Sequence, residues 1–234
     1  MDSRSIEDYL KAIYGLQANH TRAKTSQLAR KLSVTAGTVS EMLKRLAAQR
    51  PPLVIYKHHQ GVRLSDHGRQ MALNVIRRHR LLETFLHQTL GLSWDEVHQE
   101  AEILEHCLSA RVTDALDRFL GRPSADPHGE PIPDVQGRMP PHSSLTLSAL
   151  AEGKRFRVMR VQPVSADLLQ YLESEEIQIG TTGILISRAP FEGPLTLALD
   201  GDPTPRKIVI GRTVGRRIYV EALRGPSAPG LLAP

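Results

Sequence analysis

The stretch TSQLARKLSVTAGTVSEMLKRLAAQ, residues 25–49, decides the fold of this chain. Thr25 or Ser26 is placed to cap a short helix over SQLARKL, and the tripeptide Ser33-Val34-Thr35 separates it from a second helix, AGTVSEMLKRLAAQ. Leu28, Leu32, Val39, Leu43 and Leu46 then face one interior, which is the outline of a helix-turn-helix. Upstream, Asp2 or Ser3 can cap a helix through IEDYLKAIYGLQ, whose apolar stripe is Ile6, Tyr9, Leu10, Ile13 and Leu16. Downstream of Pro51-Pro52, the segment LVIYKHHQGVRLS alternates around Gly61 and reads as a two-stranded hairpin, a wing. Residues 1–64 are therefore expected to form a winged helix-turn-helix.

In such a unit the second helix of the motif enters the major groove of DNA and its first residues meet base edges. Those residues are Thr35, Ala36, Gly37, Thr38, Ser40 and Glu41, small and mostly hydroxylated, with no arginine to fork onto guanine. Lys44 and Arg45, with Arg22, Lys24, Lys31, Lys57 and Arg63, are candidates for phosphate contacts. Three-helix folds also serve as protein-interaction modules, but charge weighs against that use. Residues 1–64 hold eleven Lys/Arg against four Asp/Glu, a net +7, and the hairpin alone carries Lys57, His58, His59 and Arg63. Residues 65–142 hold eight against twelve, a net −4. A polyanion-binding head joined to a cation-binding body fits this division.

The body opens with a long helix expected from Ser65 to about Leu90, followed by a second from about Ser93 to Leu120 with a break inside it. Val75, Leu82, Phe85, Leu86, Ile103, Leu104 and Leu108 are its expected apolar contacts. The second helix carries WDEVHQEAEILEHCL, residues 94–108, where His98, Glu102, Glu105 and His106 follow one another at steps of four, three and one. At 3.6 residues per turn those steps keep two imidazoles and two carboxylates on one face, with few lysines or arginines to pair them. In RRHRLLETFLH, residues 77–87, His79 and Glu83 are also four apart. If the helices pack, His79, Glu83 and His98 converge as two nitrogens and a carboxylate, a set suited to Mn(II), Fe(II), Co(II) or Zn(II). From the residues alone, a solvated acidic face and an ordinary i,i+4 surface pair stay open as readings. Cys107, the single cysteine, allows no intramolecular disulfide and fits a buried apolar filler as well as a ligand.

Between Gly121 and Pro141 the composition turns to Pro, Gly, Asp and His and sustains no period, which marks a linker or an ordered connector. Beyond Thr146 come five short β segments, RFRVMRV, TTGILIS, LTLAL, RKIVIG and RRIYVEAL, interrupted by the helical DLLQYLESE, as in a small SH3-like barrel. The expected architecture is thus mainly α with a β module: a head over 1–64, a helical domain with its connector over 65–142, and the β domain over 143–234. A chain of 234 residues, 40% of them hydrophobic, supports such cores. No run of about twenty apolar residues and no signal-peptide pattern at MDSRSIEDYLKAIY is found, so a cytoplasmic protein with no membrane partner is expected. GxSxG, HExxH and a phosphate-binding glycine loop are absent, which leaves a metalloenzyme with little support.

The combination of EDYLKAIY, TVSEMLKRL, RRHRLLE, the VHxEAxxxEH frame and GRPSADPHGEPIPD resembles the diphtheria toxin repressor and manganese transport regulator family, and the likeness covers nearly the whole chain. The resemblance implies a primary metal site of Asp8, Glu102, Glu105 and His106. It implies an ancillary site of His79, Glu83 and His98, with Asp167 of the β domain as a further acidic candidate. Iron-responsive members have a methionine and a cysteine where this chain has Asp8 and Glu102. Carboxylates there favour a harder ion, so Mn(II) is expected ahead of Fe(II), with Co(II), Cd(II) or Zn(II) as surrogates. The two-domain manganese regulators have a glutamate where this chain has Lys11, and an ammonium cannot ligate. The resemblance further implies a homodimer on double-stranded operator DNA, a metal-activated repressor of metal-uptake genes and no enzymatic activity. The alternative is a metal-independent regulator sensing another ligand.

Overall fold

The computed structural model describes residues 3–17, 22–57, 59–162, 165–201 and 204–223. Its Cα positions group into two compact units, one of 1–82, 101–122 and 132–139, the other of 83–100, 123–131 and 140–234.

The first unit begins with α1 (Ser3–Gln17), α2 (Thr25–Lys31) and α3 (Ala36–Ala47), followed by the wing of β1 (Val54–Lys57) and β2 (Gly61–Leu64). Leu10, Ile13, Leu28, Val39, Leu43 and Leu46 are fully buried in its core, and Leu32 and Leu16 pack at the margin. Asp2 lies outside the described residues and Ser3 is already helical, so only part of the expected cap of α1 can be placed. Neither Thr25 nor Ser26 caps α2. The cap is Lys24, whose N–H donates to the side chain of Gln27 at 2.9 Å, because the chain must first pair Ala23 with Val62 before it turns. That pairing is an isolated antiparallel bridge at the edge of the two-stranded wing, and it explains Gly61: a Cβ there would meet the Ala23 carbonyl oxygen at 2.5 Å. Between α2 and α3, Ser33 takes a positive φ of 54°, the left-handed residue that closes the turn.

Two helices continue the chain. α4 (Asp66–Leu90) is capped by Ser65, whose Oγ accepts from the Gly68 N–H at 3.0 Å, and it ends at Gly91 with φ 73°. Its first turn lies so close to the base of the wing that a Cβ on Gly68 would fall 1.9 Å from the Leu53 carbonyl oxygen. The expected helix over 93–120 is two helices, α5 (Trp94–Leu104) and α6 (Ala110–Phe119). Ser109 Oγ accepts from the Val112 N–H at 3.3 Å and starts α6 anew. Glu105 and His106 consequently sit in the turn after α5 rather than on its face. Val75, Leu82 and Leu86 are buried as expected, but Ile103 and Leu104 are 54% and 37% exposed, since α5 turns its Val97 and Ala101 face inward instead.

The second unit holds the β module: β3 (Arg155–Val161), α7 (Ala166–Ser174), β4 (Thr182–Arg188), β5 (Leu195–Leu199), β6 (Arg206–Ile210), α8 (Arg212–Gly215) and β7 (Ile218–Ala222). The strands pair antiparallel in the order β6-β5-β4-β3-β7, with irregularities at Val158/Arg160 and Leu185/Ser187. Among the described residues β6 and β7 end the hydrogen-bonded ladder and do not pair with each other, so the expected barrel is an SH3-like sheet with an open ladder. Phe156, Leu172, Leu185, Leu197 and Val220 fill its interior, and Trp94 of α5 packs on the same core.

The connector is ordered by one turn used twice. Asp126 accepts from the N–H groups of His128 and Glu130, and Asp134 accepts from those of Gln136 and Arg138, at 2.8–3.0 Å. The sequences DPHGE and DVQGR share Asp at the first and Gly at the fourth position, the chemistry that this turn requires. No described helix is long and apolar enough to cross a membrane.

Candidate metal centre

Helix periodicity places Asp8 and Lys11 one turn apart on α1, and both point at the end of α5. His106 Nε2 lies 3.0 Å from Asp8 Oδ1 and 3.5 Å from Glu105 Oε1. Glu105 Oε2 lies 2.6 Å from His79 Nδ1, and Glu102 Oε1 lies 4.0 Å from the same nitrogen. Asp8, Glu105 and His106 bring one donor atom each to within 4.8 Å of one another, and so do His79, Glu102 and Glu105. Glu105 is common to both groups and is fully buried. A buried carboxylate demands positive charge around it, and the position is built for a cation.

Glu7 orders this arrangement from behind. Its Oε2 is 2.7 Å from His106 Nδ1, and its Oε1 forms an ion pair with Arg78 at 2.8 Å. With Nδ1 engaged, Nε2 is the nitrogen directed at Asp8 and Glu105, the carboxylate–histidine pairing that supports metal ligands. Burial lifts the Asp8 carboxyl above the ordinary aspartate range; His106 opposes this, and Glu102 and Glu105 reinforce it. The donors are oxygens and imidazole nitrogens, and the one thiol, Cys107, is exposed and belongs to neither group. This chemistry fits a divalent first-row cation of the harder kind.

The residues expected to share an ancillary site, His79, Glu83 and His98, offer one donor atom each within 4.8 Å of one another. His79 and Glu83 lie one turn apart on α4, and His79 Nδ1 also lies 2.6 Å from Glu105 Oε2. Glu83 is buried and its Oε1 is bonded to His98 Nδ1 at 3.0 Å. On the other side of Glu83 stand two residues that sequence reasoning passed over, Asp126 and His128, both buried. His128 Nδ1 is 4.0 Å from Glu83 Oε2 and 3.8 Å from Asp126 Oδ1, and the three residues form a further group within 4.8 Å. His128 is held there by its Nε2 at 3.2 Å from the Trp94 carbonyl oxygen and by ring contact with Trp94. The available signal was the DPHGE turn, whose glycine lets the backbone approach β3: a Cβ on Gly129 would meet the Met159 carbonyl oxygen at 2.2 Å. Asp167, in the first turn of α7, is exposed and joins none of these groups among the described residues.

On the head, Thr35, Ala36, Gly37, Thr38 and Glu41 are exposed at the start of α3, as are Lys44 and Arg45 in its last turn and Lys57 and Arg63 on the wing. Thr35 caps α3 by accepting from the Thr38 N–H at 3.1 Å. Ser40 is half-buried and spends its hydroxyl on the Ala36 carbonyl at 2.9 Å. Arg22, read from sequence as a phosphate contact, reaches the Gly61 carbonyl oxygen at 3.3 Å, so it braces the wing. His58 lies outside the described residues.

The comparisons with known proteins agree with this anatomy. The model of the iron dependent repressor N-terminal DNA-binding domain matches residues 1–62, that of the iron dependent repressor metal-binding and dimerisation domain matches 65–134, and that of the FeoA domain matches 145–222. The iron-dependent repressor IdeR of Mycobacterium leprae is 36% identical over 131 residues, which is 56% of either chain, so the match spans little more than half of that relative. The diphtheria toxin repressor of Corynebacterium efficiens is 32% identical over 188 residues, covering 76% of this chain and 80% of that one. Among solved structures, a manganese-dependent transcriptional repressor complexed with manganese superposes with a TM-score of 0.86 at 37% identity, covering 93% of this chain and all of that one. ScaR with bound Cd2+ superposes with a TM-score of 0.80 at 33% identity, over 93% and 99% of the two chains. A helix-turn-helix head, a helical unit with acid–imidazole clusters and a FeoA-type sheet, each matched by its domain model, together with the likeness to the diphtheria toxin repressor, make this chain a member of the iron-dependent repressor family to which that protein belongs.

Proposed function

We propose that this chain is a metal-activated DNA-binding repressor, a homodimer that responds to Mn(II) ahead of Fe(II) and controls metal-uptake genes from the cytoplasm. One observation carries the reading: Asp8, on the first helix of the DNA-reading head, shares a donor cluster with Glu105 and His106 beyond α5. In the proposed division, residues 1–64 read DNA, 65–142 bind metal and dimerise, and 143–234 form the β domain.

Asp8, Glu102, Glu105 and His106 are the proposed primary ligands, with Glu7 orienting His106. His79, Glu83 and His98 are the proposed ancillary ligands, with Asp126 and His128 on the opposite side of Glu83 and Asp167 as a further acidic candidate from the β domain. A divalent ion held by the primary cluster would supply two positive charges among its acidic donors, and its binding energy would favour one arrangement of α1 against α5. The chain's own residues do the rest. Asp8 ties the head to the cluster, and α3 presents Thr35, Ala36, Gly37, Thr38, Ser40 and Glu41 to base edges. Lys44, Arg45, Lys57 and Arg63 hold phosphates. Exposed apolar residues on α5 and α6, Ile103, Leu104, Val112 and Phe119, support a dimer in which a second copy covers them.

The test is a titration of the chain's own upstream DNA with protein stripped by chelator, adding one metal at a time. Restoration of binding by Mn(II) and little by Mg(II) is expected. Full binding in chelator would leave a metal-independent regulator as the better reading.

A further inference from the structure

We infer that Lys11 is a built-in competitor for the metal position of the primary cluster, and that it sets the metal concentration to which the chain responds. The inference rests on the metal-sensor reading above and adds a residue with a role opposite to that of the ligands.

The Lys11 ammonium lies 2.7 Å from Glu102 Oε1, 2.9 and 2.7 Å from the two oxygens of Glu105, and 3.1 Å from His79 Nδ1. Three carboxylate oxygens match the three protons of the ammonium, and His79 Nδ1, itself 2.6 Å from Glu105 Oε2, completes the surround. The arrangement is a shell around a cation rather than an ordinary ion pair, and its acceptors include two of the proposed metal ligands. Glu105 is fully buried and the Lys11 side chain is 20% exposed, so the attraction acts with little screening by solvent. A divalent ion and an ammonium sharing the same carboxylates a few ångströms apart would repel strongly in that setting. Metal entry therefore requires that Lys11 leave, and its flexible four-carbon stem allows the departure without disturbing α1.

Lys11 and Asp8 stand one turn apart on the same helix. Without metal, Lys11 ties α1 to Glu102 and Glu105 while Asp8 and Glu7 contact His106; with metal, the tie to the two carboxylates would pass from Lys11 to Asp8 through the shared ion. The head is accordingly held in both states, through different residues, and the ion has to outcompete an internal cation rather than fill an open site. A chain without that cation would respond at lower metal concentration.

Mn(II) affinity of the purified full-length chain, read from the electron paramagnetic resonance signal of the free aquo ion, tests this together with melting temperatures in chelator and in saturating Mn(II). Lys11→Met is expected to tighten Mn(II) binding at least tenfold and to lower the melting temperature in chelator, while leaving that of the Mn(II)-saturated protein unchanged. Lys11→Arg, which keeps the charge, should not tighten binding. Should Lys11→Met fail to fold without metal, Lys11→Gln is measured in its place with the same expectation. Unchanged or weaker binding in a folded Lys11→Met or Lys11→Gln variant overturns the inference, as does equal tightening in the Met and Arg variants. If the wild-type chain takes up no Mn(II), the sensor reading itself has failed. Uptake by the wild type with no response to Lys11 substitution rejects only the competitor.

Discussion

Glu7 Oε2 stands 2.7 Å from His106 Nδ1, and this contact determines which ring nitrogen faces Asp8. Removing it frees the imidazole to rotate and to change tautomer. Glu7→Ala is expected to weaken Mn(II) binding by about ten- to a hundredfold, the usual cost of losing a partner behind a metal ligand. Glu7→Gln keeps an acceptor for Nδ1 and should cost less. Isothermal titration with Mn(II) measures both, and equal effects from the two substitutions would mean that Glu7 acts through its charge alone.

Asp8 and His98 separate the two proposed sites. Asp8→Ala removes the ligand that α1 contributes, so the chain should fold normally yet lose metal-stimulated operator binding in a band-shift titration. His98→Ala removes the partner of Glu83 on α5 and should only reduce the response. A silent Asp8→Ala beside an inactive His98→Ala would reverse the ranking of the sites.

The raised Asp8 carboxyl makes a pH prediction whose sign follows from proton linkage. A carboxyl that holds its proton more tightly in the folded than in the unfolded chain stabilises the metal-free fold fully below its unfolded pKa. That contribution fades as pH rises through the higher folded value. Metal ligation needs the ionised form, so Mn(II) affinity should climb over the same interval just above the ordinary aspartate range. Melting curves and Mn(II) titrations across that interval check both halves, and Asp8→Asn should flatten the stability trend.

Much of the fold was legible because it repeats locally. The apolar stripes of α1 and α3, the Ser65 start and Gly91 end of α4, and the alternation of the β segments are all encoded within a few residues of one another. The break before α6 was also local: Ser109 three residues ahead of Val112 is a cap, and it moves Glu105 and His106 off the helix they seemed to share with His98. The Glu83–Asp126–His128 group was not legible. Its members are 43 and 45 residues apart, joined by no period, and the turn that carries Asp126 and His128 resembles a linker in composition. Lys11 was legible as a residue that cannot ligate, but the shell of acceptors around it exists only once α1 meets α5.

In the proposed reading the exposed residues of α3 divide into phosphate and base contacts, and salt dependence distinguishes them. Lys44→Ala and Arg45→Ala should each weaken operator and random DNA alike and lower the slope of log affinity against log salt by about one. Thr38→Ala should leave the slope unchanged and relax discrimination between operator and random sequence. Thr35→Ala removes the α3 cap as well, so about 1 kcal/mol of stability should be lost with it. Fluorescence anisotropy at several salt concentrations, paired with thermal melts, measures all four.

Metal preference should follow the atoms of the primary cluster. Oxygen donors from Asp8 and Glu102 suit Mn(II), whereas thioether and thiolate donors suit softer ions. The double variant Asp8→Met, Glu102→Cys replaces both carboxylates with sulfur and also removes one of the carboxylates that holds Lys11. Operator binding in this variant should need more Mn(II) than the wild type and less Fe(II) or Co(II), so that the order of potency inverts. Glu102→Gln separates charge from softness, since it loses the same carboxylate without adding sulfur and should weaken the response to every divalent ion together. If the double variant keeps the wild-type order of metals, the donor atoms of α1 and α5 do not set the preference, and selectivity has to arise at the Glu83 cluster instead.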